Sequence, residues 1–109
     1  MPAPPLELTA PAEPLALRER TRALAEQDPA GALALLDRGE WIAGPLWDCW
    51  GAALARAGLR RQDLVGILVD YRRELWLWLM GERTWAQCAA GLAGRIRRRG
   101  AAPPAFTGS

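Results

Sequence analysis

Leu75-Trp76-Leu77-Trp78-Leu79-Met80 closes the longest helical pattern in a chain of 109 residues that carries six tryptophans. A helix that is apolar on every side has to be buried, in its own core or in a partner's. The alternation of Leu with Trp also admits a strand. Helix is the better reading, because Asp70-Tyr71-Arg72-Arg73-Glu74 carries the helical period into the run and no second strand pattern exists to pair with it.

Working back from that run, Leu64, Leu68, Tyr71, Leu75 and Trp78 recur at alternating steps of four and three. This is a heptad-like seam on one helix, about 61–80. A second row, Val65, Val69, Trp76 and Leu79, lies beside it, and polar side chains fill the rest until Glu74. Trp76 and Trp78 are about 160° apart on such a helix, so they face different surroundings.

The neighbouring segments read as helices as well. Residues 15–27 form a first helix with Leu17, Leu24 and the stems of Arg18 and Arg22 to one side. Asp28-Pro29 opens a second, Asp capping and Pro sitting where its missing N–H costs nothing. That helix is expected to bury Leu33 and Leu36 and to stop at Gly39. A third runs from Pro45 to Ala57 with Leu46, Trp50 and Leu54 inward. After Gly81, Thr84-Trp85-Ala86-Gln87 has the form of a capping box, starting a last helix to about Arg99 that buries Trp85, Cys88, Ala89, Leu92 and Ile96. Its Ala and Gly positions permit close approach by another helix.

The fold expected is therefore all-α, a small bundle of four to five short helices over 15–99 with disordered Pro/Ala-rich termini. Residues 1–14 hold five prolines and read as a flexible leader; 100–109 read as a disordered tail. The segment 24–41 has the rhythm of half a tetratricopeptide unit, but no second copy follows at that period, so a repeat array is excluded.

Composition excludes more function than it assigns. The chain has no His, and all 14 of its basic residues are Arg. Without His there is no Ser-His-Asp triad, no Cys-His pair and no His-bearing zinc site. Asp70 and Glu74 lie one helical turn apart, but Arg72 and Arg73 beside them make ion pairing the simpler account. Cys49 and Cys88 form no CxxC unit and read as small buried helix residues. The sequence thus points to a non-enzymatic protein that needs no cofactor and no metal. No secretory signal pattern or membrane-length apolar stretch is present, so the expectation is a cytoplasmic protein without integral membrane association.

Two surfaces are candidates for function. Six indoles are hard to bury in so small a domain, and Trp is enriched at interface hot spots. The first reading is an interaction subunit or adaptor that meets a protein partner, or itself as a homodimer or hetero-complex, through Trp76, Leu79, Met80, Trp41 and Trp47. The second is a nucleic-acid-binding accessory that contacts phosphate through Arg95, Arg97, Arg98 and Arg99. The five residues from Arg95 to Arg99 are too few to lie along a major groove as a recognition helix.

Overall fold

A computed structural model describes residues 6–101 of the chain. Among these residues six helices follow one another: α1 Leu15–Gln27, α2 Pro29–Arg38, α3 Ala43–Arg56, α4 Arg61–Asp70, α5 Arg72–Leu79 and α6 Trp85–Ala101. Among the described residues there is no strand. The all-α reading holds, with α4 and α5 as two halves of the spine.

Each start has a local cause. Asp28 accepts from the Gly31 N–H at 3.0 Å, with Pro29 at the first helical position. Thr84 Oγ1 accepts from Gln87 N–H and Gln87 Oε1 from Thr84 N–H, both at 3.1 Å. Asp63 Oδ2 accepts from the Arg60 N–H at 2.7 Å and closes the first turn of α4. The third helix begins at Ala43 rather than Pro45, since a proline is tolerated anywhere in a first turn, where N–H groups have no intrahelical acceptor.

The spine is kinked at Tyr71, which takes φ −98° and ψ 8°. No Pro or Gly sits there. The Arg72 guanidinium donates to the Val69 carbonyl at 2.7 Å, and the ladder tightens to three-residue steps, the Tyr71 N–H donating to the Leu68 carbonyl and the Glu74 N–H to the Tyr71 carbonyl. A side chain drawing a carbonyl out of the ladder is a recognised cause of a kink.

The five seam residues are all buried: Leu64 1%, Leu68 0%, Tyr71 6%, Leu75 0% and Trp78 0% exposed. They meet Leu46, Trp50 and Leu54 of α3 and Cys88, Leu92 and Ile96 of α6 in one cluster. Trp78 packs against Trp85 in a tilted pair, ring centroids 4.8 Å apart and planes inclined by 52°. Thr21, Ala32, Leu36 and Leu79 are also buried but lie outside that cluster. They come from α1, α2 and α5, which pack together. The apolar run is thus sandwiched, Leu75 and Trp78 facing the main core and Leu79 facing the α1–α2 hairpin.

The leader differs from expectation. Residues 6–14 have no regular secondary structure, yet they form a strap across the core. Trp50 Nε1 donates to the Thr9 carbonyl at 2.6 Å and Trp85 Nε1 to the Pro11 carbonyl at 2.7 Å. Trp78 Nε1 donates to Glu13 Oε2 at 2.7 Å. Leu6 and Leu8 pack against the main cluster. A buried indole N–H needs an acceptor, and an extended segment offers carbonyls that helices keep for themselves. Residues 1–5 and 102–109 of the expected disordered ends lie outside the described residues; Gly100 and Ala101 continue α6.

Candidate functional site

The five side chains expected at a partner surface fall into three groups. Leu79 is fully buried and has no face to offer; the correction follows from its place between α5 and the α1–α2 hairpin. Trp41 and Trp47 are half-buried and pack against the main core. Trp41 lies 6.5 Å from Trp78 between ring centroids, and its indole nitrogen is buried without a hydrogen-bond partner. The Trp47 ring covers the α-carbon of Gly51, one turn along the same helix, where an added Cβ would stand 2.9 Å from it. Both are rim residues of the core.

Trp76 and Met80 remain. Both are half-buried and both fall outside the main cluster; Trp76 lies on α5 one turn before Leu79, and Met80 caps the helix just after it. The facing helix supplies a residue that periodicity assigned to the core. Leu33 is 48% exposed, while Ala32 and Leu36 are 0% and 1%. The buried stripe of α2 therefore runs through Ala32 and Leu36, at i and i+4, and leaves Leu33 on its shoulder. Leu15 and Leu33 are the large apolar side chains most open to solvent among the described residues.

Gly39 approaches Val65 and Val69 of α4 and Asp37 pairs with Arg72 of α5, so α2 runs antiparallel to the spine. Leu33, one turn before Asp37, and Trp76, one turn after Arg72 with Met80 a turn further, therefore lie along the same α2–α5 seam. The seam has a sealed floor of Leu36 and Leu79. Its end carries both signs of charge. Arg72 Nε pairs with Asp37 Oδ1 at 3.2 Å, both well exposed. Such a pair contributes little to stability but leaves two opposite charges in reach of a partner.

The arginines of α6 are exposed but partly engaged. Arg97 Nε donates to the Leu6 carbonyl at 3.2 Å, and Arg99 pairs with Asp63 at 3.3 Å. The Arg95 guanidinium lies 5.1 Å over the Tyr71 ring. Arg98 shares with Ile67, Asp70, Arg95 and Arg99 an open depression of about 310 Å³ between α4 and α6.

Elsewhere the reactive groups are subdued or dispersed. Burial pushes the Cys88 thiol up to about 12, with a smaller push from the Glu74 charge. Tyr71 is raised for the same first reason, burial. Cys49, expected to be buried, is exposed and rests against Thr9 of the strap, Sγ to Oγ1 3.5 Å. Among the described residues no three His, Cys, Asp or Glu side chains gather as a metal site would need. An open cavity of about 350 Å³ near the start of α6 is lined by Glu13, Arg18, Glu82 and Arg83, two charges of each sign. Its Glu13 is already bonded to Trp78, and Arg83 to Glu74.

No helix among the described residues is long and apolar enough to cross a membrane. The chain matches no protein family, and neither a curated protein nor a solved structure matches it.

Proposed function

We propose that this protein is a small non-enzymatic interaction subunit that pairs with a second copy of itself through the α2–α5 seam. The observation that carries the reading is the open position of Leu33 on the same seam as half-buried Trp76 and Met80, in a fold that among the described residues leaves only Leu15 and Leu33 of its large apolar side chains exposed. Aromatic and Met side chains on a sealed apolar floor are the composition of an interface centre.

The rim favours a like partner. Asp37 and Arg72 stand side by side at the end of the seam, so a copy related by a two-fold axis meets each charge with its opposite. An adaptor for a different protein would use the same three apolar residues, and the test separates the two. Light scattering at tens of micromolar should report twice the chain mass, persisting in high salt because the contact is mainly apolar. A monomer whose seam instead takes up an apolar dye would move the reading to a different partner. A monomer without dye binding would remove it.

A further inference from the structure

The arginines of α6 do not stand alone. Gly100 comes close to Leu59, a Cβ there lying 3.9 Å from Leu59 Cδ1, and also to Leu6 at 3.8 Å. This brings the end of α6 against the α3–α4 link. Asp63 ties the junction: one oxygen accepts from the Arg60 N–H at 2.7 Å and the other from Arg99 at 3.3 Å. Arg56 in the last turn of α3, Arg60, and Arg61 at the first position of α4 therefore share one end of the bundle with Arg97, Arg98 and Arg99. Arg95 and the α4–α6 depression continue the same surface.

That surface holds seven arginines and three carboxylates, Glu7, Asp63 and Asp70, while the rest of the chain holds seven arginines against nine carboxylates. A chain of net charge +2 is thus strongly polarised. Segregation of this kind creates a local positive field that net charge conceals. All seven side chains are exposed. Each guanidinium presents a planar fork of donors that fits two phosphate oxygens.

We infer that this end of the bundle binds the sugar–phosphate backbone of a nucleic acid, without reading base sequence. It goes beyond the pairing surface and shares no residue with it. Three features favour this partner over a lipid surface or an acidic peptide. The most exposed large apolar side chains, Leu15 and Leu33, sit on α1 and α2, so among the described residues no apolar anchor accompanies the arginines as a membrane-surface helix requires. The charges run from Arg95 past the depression to Arg56, the spread that a repeating phosphate polymer can follow. The depression itself, about 310 Å³ and lined by Arg95, Arg98 and Arg99 with Ile67 and one carboxylate, Asp70, has room for a phosphate group and an excess of positive charge to hold it. Base readout is not expected, because the arginines come from three different helices, α3, α4 and α6, and not from one helix face laid along a groove.

The test is fluorescence polarisation of the full chain with a labelled 20-nucleotide single strand, the corresponding duplex, and a scrambled strand, from 50 to 300 mM salt. Binding should weaken steeply with salt, by about 0.9 in log affinity per log salt for each phosphate neutralised on a duplex. The scrambled strand should bind as well as the parent. Replacing Arg60, Arg61 and Arg98 together with Gln should lower affinity about tenfold or more and flatten the salt slope. The control, Arg20→Gln with Arg22→Gln on α1, should change neither. Circular dichroism on both variants reads folding separately. Absence of binding at 50 mM salt, or an equal loss in the control, overturns the inference. So does binding to phosphatidylserine vesicles or to a polyglutamate peptide that exceeds binding to the oligonucleotides.

Discussion

The Trp78 indole N–H and the Glu13 carboxylate meet at 2.7 Å across 65 positions of sequence, tying the spine to the N-terminal strap. The same ring holds the Arg18 guanidinium 5.7 Å above it and packs at a tilt against Trp85. The strap is therefore a part of the core, and its contribution is measurable.

Replacing Glu13 with Ala leaves a buried indole donor without its acceptor, a loss of about 1–3 kcal/mol. Urea denaturation of Glu13→Ala should show this loss. Trp78→Phe removes the donor, so the double variant should lose less than the sum of the single ones. Full additivity would mean that the bond contributes nothing.

Trp78 is 0% exposed and Trp76 is half-buried on the far side of α5. Trp78→Ala should destabilise the chain by about 3–5 kcal/mol, as truncation of a large core aromatic does. Trp76→Ala should cost the isolated chain far less and act on association instead. Equal losses with unchanged association would make both tryptophans core residues.

Two glycines should resist substitution for different reasons. Gly39 has φ 71°, and a Cβ there would stand 2.6 Å from the Val65 carbonyl, so Gly39→Ala should cost more than the usual 1 kcal/mol or so of an αL position. At Gly91 a Cβ would overlap the Tyr71 hydroxyl. Ala normally stabilises a helix by about 1 kcal/mol over Gly; here Gly91→Ala should destabilise, and Gly94→Ala, with only the Arg98 guanidinium at 3.8 Å, should stabilise. Thermal melts of the three variants give the order.

The thiols give a pH signature. The Cys88 thiol is raised to about 12 in the fold, so the unfolded chain releases that proton first as pH rises. Stability from this group is complete below the unfolded value and falls as pH climbs from about 9 toward 12. Tyr71, also raised, adds to the decline in the same direction above about 10. The urea midpoint should drop between pH 8 and 10.5, and less so in Cys88→Ala. A thiol reagent at pH 8 should label exposed Cys49 quickly and Cys88 only on unfolding.

Much of the fold was legible, and the misses have physical causes. The seam from Leu64 to Trp78 could be read because a helix side buried on one core imposes its period on the sequence. The kink at Tyr71 could not, since it comes from the Arg72 guanidinium choosing the Val69 carbonyl, with no Pro or Gly to mark it. The strap reads as a flexible leader in the sequence because its partners lie 41 to 74 positions away, beyond any periodic signal. Leu33 was placed in the core because Leu outweighs Ala in a hydrophobic pattern, whereas packing chose Ala32. Leu79 went the opposite way: an apolar run looks equally buried on all sides, and only the α1–α2 hairpin decides which side is sealed. The arginines of α6 were visible in sequence, but Arg56, Arg60 and Arg61 join them only through the tertiary contact at Gly100.

The pairing seam is tested most directly by sedimentation equilibrium of the wild-type chain beside Leu33→Glu, at tens of micromolar and in 0.5 M salt. Leu33 is 48% exposed, so a charge there should leave the isolated fold within about 0.5 kcal/mol of wild type while opposing burial at an interface. The wild-type chain should sediment as a dimer and Leu33→Glu as a folded monomer. A wild-type monomer, or a dimer that Leu33→Glu leaves equally tight, would contradict pairing through the seam.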